Sequence, residues 1–279
     1  MRCISNETII LFKNYLLDEE KAPATIEKYI RDVSSFAHWL GGRELSKTEV
    51  VSYKLFLSES YAPTSVNSVI SSLNHFFSLF EWYDLKAKTV KIQRRIFSSD
   101  EKELTKAEYQ RLLCAAQSKK NERLYLLMQT ICSTGIRVSE LRYITVEAIS
   151  HGGAEIQSKG KRRCVLLSNE LCKVLKAYAK EQGIKSGPVF VTKNGNPLDR
   201  SNIWSDMKRL CRSAGVSEKK VFPHNLRHLF ARTYYTIQKD IVRLADILGH
   251  SNVNTTRIYT IESGAIHRRQ LQKLGLLRC

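Results

Sequence analysis

Residues 151–167 read "HGGAEIQSKGKRRCVLL", and this stretch decides the fold class. What precedes it follows helical spacing almost throughout. Here a Gly-Gly pair marks a turn, a short strand follows, Lys159-Gly160-Lys161 makes a basic turn, and a second short strand runs back. The pattern predicts a β-hairpin with a lysine-rich tip. "PVFVT" at 188–192 reads as a third strand, and helix resumes from residue 200 or so to the end. The expectation is a mainly α protein with a small β-sheet, an α+β fold.

Upstream, Ile26, Tyr29, Ile30, Val33, Phe36, Ala37 and Leu40 recur at helical spacing, as do Val66, Val69, Ile70, Leu73, Phe76, Phe77 and Phe80. Pro23 and Pro63 stand where new helices begin, and "SKTE" at 46–49 has the form of a capping box. With residues 5–19 these pieces predict a four-helix domain over 1–90. Residues 91–103, inside the polar run "KIQRRIFSSDEKELT", read as a linker. A second domain then spans 104–279, opening with a "TKAE" cap at 105–108. A length of 279 residues suits two domains with cores of their own.

Lysine and arginine number 45 against 27 aspartate and glutamate, a net charge of +18. Residues 1–98 hold 13 basic and 11 acidic side chains, whereas residues 99–279 hold 32 and 16. Such an excess attracts polyanions, and its placement assigns a nucleic-acid surface to the second domain; solvated surface lysines are the plainer alternative. Seven cysteines, at 3, 114, 132, 164, 172, 211 and 279, are scattered and never in C-x-x-C spacing. They read as reduced, mostly buried thiols, supporting neither a disulfide framework nor a zinc site. No apolar run reaches the ~18 residues of a membrane span, and the opening residues lack the order of a signal peptide, so the expected place is the cytoplasm.

Four separated stretches of the second domain carry reactive or anion-binding side chains. In "STGIRVSEL", Gly135 permits a tight turn, and Arg137 and Glu140 share a face at a helix start. Alone, that is as well read as a surface ion pair worth a few tenths of a kcal/mol. In "SKGKRR", Lys159, Lys161, Arg162 and Arg163 sit at the hairpin tip, where they can meet a phosphate or stay solvated. In "FPHNLRHLF", Pro223 suits the first helical position and puts His224 and Arg227 on one face beside free backbone amides, a setting for an anion or simply a surface His/Arg pair. In "LGHSNVNTTRIYT", residues 248–260, His250 precedes Tyr259 through a polar turn.

Together these stretches supply two arginines, a lysine, two histidines and a tyrosine, with no acidic cluster to hold Mg²⁺. A phenol with an ordinary pKa of ~10 needs nearby cations or a base to act as a nucleophile. Two arginines can hold the non-bridging oxygens of a phosphodiester, and a lysine can protonate a leaving oxygen. The inventory suits metal-free phosphoryl transfer to tyrosine, with no cofactor.

With these four stretches in this order behind a helical bundle, the sequence resembles the tyrosine recombinase family of phage-integrase and Xer-like proteins, in a short form without an arm-binding domain. The resemblance covers both domains. It implies a helical, SAM-like core-binding domain and a mixed α/β catalytic domain that together form a clamp around DNA. It also implies that Tyr259 attacks the scissile phosphate, giving a 3′-phosphotyrosyl bond and a free 5′-hydroxyl without metal or ATP. Arg137 and Arg227 would clamp the phosphate, His250 would hydrogen-bond it, His224 would assist proton transfer, and Glu140 would support the cluster. Lys159 aligns with the family's hairpin general acid, with Lys161 as runner-up, while Lys161, Arg162 and Arg163 fall to DNA binding. His228 reads as a packed helix residue, and Tyr234 and Tyr235 as core or DNA-backbone contacts.

The implied partners are double-stranded DNA with inverted core-type sites and further copies of the chain. These would form a homo-tetramer in the synaptic complex and a monomer or weak oligomer when free, nucleoid-associated and with no membrane partner. A terminal helix carrying Ile266, Leu271, Leu274 and Leu277 would dock on a neighbouring protomer or pack on its own domain. Integration or excision of a mobile element and resolution of replicon dimers all stay open. So do relaxation in the manner of a type IB topoisomerase and DNA binding by an inactive accessory protein.

Overall fold

The computed structural model describes residues 2–92, 102–158, 161–192, 194–259 and 272–273, with the backbone alone at Ser158 and Lys161. Most of the expected linker, Lys159 and nearly all of the expected terminal helix therefore lie outside the described residues. The chain divides into two units, Met1–Arg94 and Arg95–Cys279.

The first unit holds α1 (Asn6–Asp18), α2 (Pro23–Leu40), α3 (Lys47–Ser60) and α4 (Pro63–Leu79). Pro23 and Pro63 occupy the first turns of α2 and α4, where the missing N–H has no intrahelical partner to lose. Ser46 accepts the Glu49 N–H at the start of α3, but Glu49 turns its carboxylate to Arg43, 2.7 Å away, so only half of the expected capping box forms. Phe12, Val33, Phe36, Ile70, Leu73, Phe76 and Phe77 are fully buried and make the core. Asp32 is buried beside it, accepting from Lys28 Nζ at 2.5 Å and Ser72 Oγ at 2.7 Å.

The second unit begins with α5 (Lys106–Ser118) and α6 (Glu122–Thr134), a 3-10 turn at Val138–Tyr143, and α7 (Val146–His151). Strands β1 (Gly153–Ser158) and β2 (Lys161–Leu166) follow, then α8 (Asn169–Glu181) and α9 (Arg200–Ala214). It continues through α10 (Pro223–Gln238), α11 (Ile241–Leu248), α12 (Val253–Thr256) and a 3-10 turn at Arg257–Tyr259. At α5 the Thr105/Glu108 capping box is complete. Leu126, Leu127, Met128 and Ile131 of α6 are buried, α10 packs across α6, and α9 packs on α5.

The hairpin is antiparallel, with Ile156 opposite Arg163 and Ser158 opposite Lys161. Ala154, Ile156 and Val165 face the core. Among the described residues the fold is mainly α with this one two-stranded sheet, as the sequence predicts. The third strand does not form. Residues 188–192 make only the isolated bridges Thr145↔Pro188 and Val191↔Pro197. Pro188 has no N–H to give a ladder, and the chain folds back at Gly195, whose N–H bonds Thr192 O at 3.0 Å. Of the described cysteines only Cys172 and Cys211 are buried, whereas Cys3, Cys114 and Cys164 are exposed; Cys164 lies on the outer face of β2. No helix among the described residues is long and apolar enough to cross a membrane.

Candidate active site

The first part of the site is a turn at the end of α6. Gly135 closes the helix with φ +68°, and a Cβ there would stand 2.4 Å from the Phe230 ring, so both conformation and packing require glycine. The next residues enter the 3-10 turn, where Glu140 is 2% exposed. Its Oε2 accepts the Arg137 N–H at 2.7 Å and Arg163 Nη2 at 2.6 Å, and its Oε1 accepts Arg137 Nη1 at 2.9 Å. Burial opposes the charge of this carboxyl, but the Arg137 N–H and the two guanidinium groups outweigh it and hold the pKa below the usual range. Glu140 is thus a buried hub between Arg163 and the more exposed Arg137, not half of a surface pair.

The second part is the start of α10. Pro223 sits in its first turn, Phe222 supplies no side-chain cap, and the turn carries His224 and Arg227. Arg227 is 2% exposed. Its Nη1 donates to Gly135 O at 2.7 Å, and its Nη2 donates to Leu248 O at 2.8 Å and to His250 Nε2 at 2.9 Å. One guanidinium therefore satisfies the carbonyls that end α6 and α11. Burial first, then Arg137, pull its pKa down to about 10, which leaves it charged at neutral pH.

The third part follows α11. Gly249 takes φ +65°, the His250 N–H bonds Ala245 O at 2.9 Å, and His250 Nδ1 lies 2.9 Å from Thr256 Oγ1. Burial and then Arg227 hold His250 down at about 4, so the ring is neutral at pH 7. A guanidinium only donates, so Nε2 accepts from Arg227, which places the ring proton on Nδ1 facing Thr256. Tyr259 is 3% exposed. Its ring meets His228 edge-on at 4.6 Å and lies parallel to His250 at 6.1 Å, and His228 in turn meets His224 at 4.5 Å. Burial followed by His224 pushes His228 down to about 4, and burial followed by Arg227 lowers His224.

Arg137, His224 and Arg227 line a cavity of about 1080 Å³, joined at its wall by Arg200, Lys208 and Lys219. The structure thus gathers Arg137, Glu140, His224, Arg227, His250 and Tyr259 from stretches far apart in the chain. At the hairpin, Lys159 and the Lys161 side chain lie outside the described residues, and Arg162 is exposed. Arg163 departs from its expected place at a DNA-facing tip: its side chain is 16% exposed and turned toward Glu140. The period of two along β2, which groups residue 163 with Val165, was the signal for this. Thr256, fully buried against His250, carries no mark in the sequence, whereas Arg200, Trp204 and Lys208 recur at four-residue spacing on α9. Among the described residues no group of three or more His, Cys, Asp or Glu is arranged to hold a metal.

The pattern of the phage integrase family matches residues 102–264, and that of the phage integrase N-terminal SAM-like domain matches 9–82. A tyrosine recombinase XerA of Thermococcus kodakarensis is 32% identical over 281 residues, 98% of this chain and 96% of the relative. A crystal structure of XerA recombinase is 27% identical with TM-score 0.53, covering 98% of this chain and 99% of that one. A lambda integrase tetramer bound to a Holliday junction shares the fold at 18% identity and TM-score 0.70, covering 92% of this chain and 78% of that one. The chain belongs to the phage integrase family of tyrosine recombinases.

Proposed function

We propose that this protein is a site-specific DNA recombinase that cuts and rejoins DNA through Tyr259. The observation that carries the reading is Arg227, a 2% exposed guanidinium bonded to two carbonyls and a neutral histidine, with no carboxylate bonded to it among the described residues. A cation buried in this way is costly until an anion reaches it. Arg137, His224 and Tyr259 stand in the same cluster, and residues 99–279 carry 32 basic against 16 acidic side chains, so the fitting anion is a DNA phosphate.

In this mechanism Tyr259 Oη bonds to phosphorus as the bond to the 5′-oxygen breaks, leaving a 3′-phosphotyrosyl ester. His224, neutral through burial and Arg227, can take the phenolic proton. The departing 5′-oxygen takes a proton from Lys159, or from Lys161. Arg137 and Arg227 neutralise the non-bridging oxygens as charge develops, and Glu140 keeps Arg137 in place. His250, an acceptor toward Arg227 at rest, donates to the phosphate once the anion raises its proton affinity. A 5′-hydroxyl of a partner strand reverses the step, so no ATP and no metal are needed. Arg162 and Lys161 contact DNA from the hairpin. The substrate is duplex DNA with inverted core-type sites, bound by four copies of the chain in the nucleoid, for integration, excision or replicon dimer resolution. The tetrameric lambda integrase supports that assembly at the level of the fold.

Nicked suicide duplexes built from inverted repeats in the DNA flanking the gene test this reading. The parent is expected to give a denaturation-resistant protein–DNA adduct that EDTA does not diminish, and Tyr259→Phe none. An equal adduct from Tyr259→Phe, or a strict Mg²⁺ requirement, overturns it.

A further inference from the structure

Arg163 is a charged residue bonded into the cluster that this mechanism leaves without a task. On β2 it lies opposite Ile156, on the face that Ala154 and Val165 share with the core. Its guanidinium forks: Nη2 donates to Glu140 Oε2 at 2.6 Å, and Nη1 donates to the Ile247 carbonyl near the end of α11. Its stem lies against the Gly249 backbone so closely that a Cβ at 249 would stand 2.6 Å from Arg163 Cδ and 2.8 Å from Nε. One side chain thus holds three elements that bear different parts of the site. These are the hairpin strand that follows Lys159, the 3-10 turn anchored by the Arg137/Glu140 pair, and the turn that presents His250.

We propose that Arg163 is a positioning residue that locks the hairpin, Arg137 and His250 into one geometry and makes no contact with DNA. The inference rests on the recombinase reading given above. Both ends of its fork are engaged inside the protein, and its side chain is only 16% exposed. A move to a DNA phosphate would strip Glu140 of one of its two cations. Lysine cannot replace it, because an ammonium offers a point charge where two acceptors in different directions need a planar fork. Gly249 belongs to the same device, since its missing side chain is the space the Arg163 stem fills.

The test measures duplex affinity across a range of salt and single-turnover cleavage of the nicked substrate at saturating protein, for the parent, Arg163→Ala and Arg163→Lys. Arg163→Ala is expected to keep the parent's affinity and salt slope while cleavage slows on the order of 100-fold, the scale of a small misplacement of reacting groups. Arg163→Lys, which keeps charge and bulk and guards against a simple failure to fold, is expected to melt like the parent yet cleave nearly as slowly as Arg163→Ala. Adding Glu140→Gln to Arg163→Ala should slow cleavage by less than the product of the single effects, because both act through one ion pair. A salt slope reduced by ~0.9 in Arg163→Ala identifies a phosphate contact and overturns the proposal. So does cleavage within twofold of the parent for either variant. Failure of the parent itself to form an adduct indicts the recombinase reading instead.

Discussion

The two units bury charge in opposite ways. In the first, Asp32 meets Lys28 at 2.5 Å and Ser72 at 2.7 Å, so the buried carboxylate is matched by a cation one helical turn away. In the second, one carboxylate, Glu140, is shared between Arg137 and Arg163, and Arg227 is left bonded to carbonyls and His250. The first cluster is closed, with its charges cancelled by what the unit contains. Among the described residues the second carries surplus positive charge beside a cavity, the setting for a ligand of opposite sign. Buried charge is thus a sign of function where it is left unbalanced, and a sign of packing where it is matched.

The contrast breaks most readily at Arg227. Arg227→Gln keeps bulk and hydrogen-bonding capacity but removes the cation, and adduct formation is expected to fall by on the order of 10³-fold, the upper range for losing one preorganised donor to a transition-state oxyanion. Single-turnover cleavage on the nicked duplex measures it; a fall of less than tenfold would make Arg227 a scaffold residue like Lys28. Asp32→Ala should behave oppositely. Lys28 is 32% exposed and regains water when its partner goes, so the cost is roughly 2 kcal/mol, below the 3–5 of a fully buried pair. Urea unfolding should register that loss, while cleavage by the folded variant at saturating DNA stays at the parent's rate. Slower chemistry in Asp32→Ala would erase the distinction between the clusters.

The smallest effect is a pH dependence carried by the histidines of the second unit. His228 and His250 have folded pKa values of about 4 against an ordinary 6.5. Below 6.5 the unfolded chain binds protons that the folded cluster refuses, so their contribution is complete above that value and lost as pH falls toward 4. Melting of the second unit should therefore fall between pH 6.5 and 4.5 by more than in His228→Gln, with bound DNA narrowing the gap because a phosphate favours the protonated rings. An identical decline in His228→Gln would remove His228 from the account.

What was legible in the sequence was local. The proline starts of α2 and α4, the Thr105/Glu108 box, the glycine break at 135 and the hairpin at 153–166 each follow from residues a few positions apart. The helical spacing of residues 26–40 and 66–80 likewise gave the core of the first unit. The third strand failed because strand-like composition at 188–192 does not reveal whether a partner with free N–H and C=O groups will lie alongside, and Pro188 weakens that pairing further. Charge alone groups Arg163 with its basic neighbours, whereas the pleat of β2 sorts it inward to Glu140. Arg227 was visible as one of a surface His/Arg pair, but its burial depends on the ends of α6 and α11, whose carbonyls come from 92 and 21 residues away. Thr256 carried no signal, because its one distinction is the His250 ring packed against it in three dimensions.

The most direct measurement is to digest the denatured adduct with protease and nuclease and locate the attached nucleotide by mass spectrometry. The account predicts a 3′-phosphonucleotide on the peptide containing Tyr259, and on no other. Attachment at Tyr234, Tyr235 or any residue besides Tyr259 would contradict it.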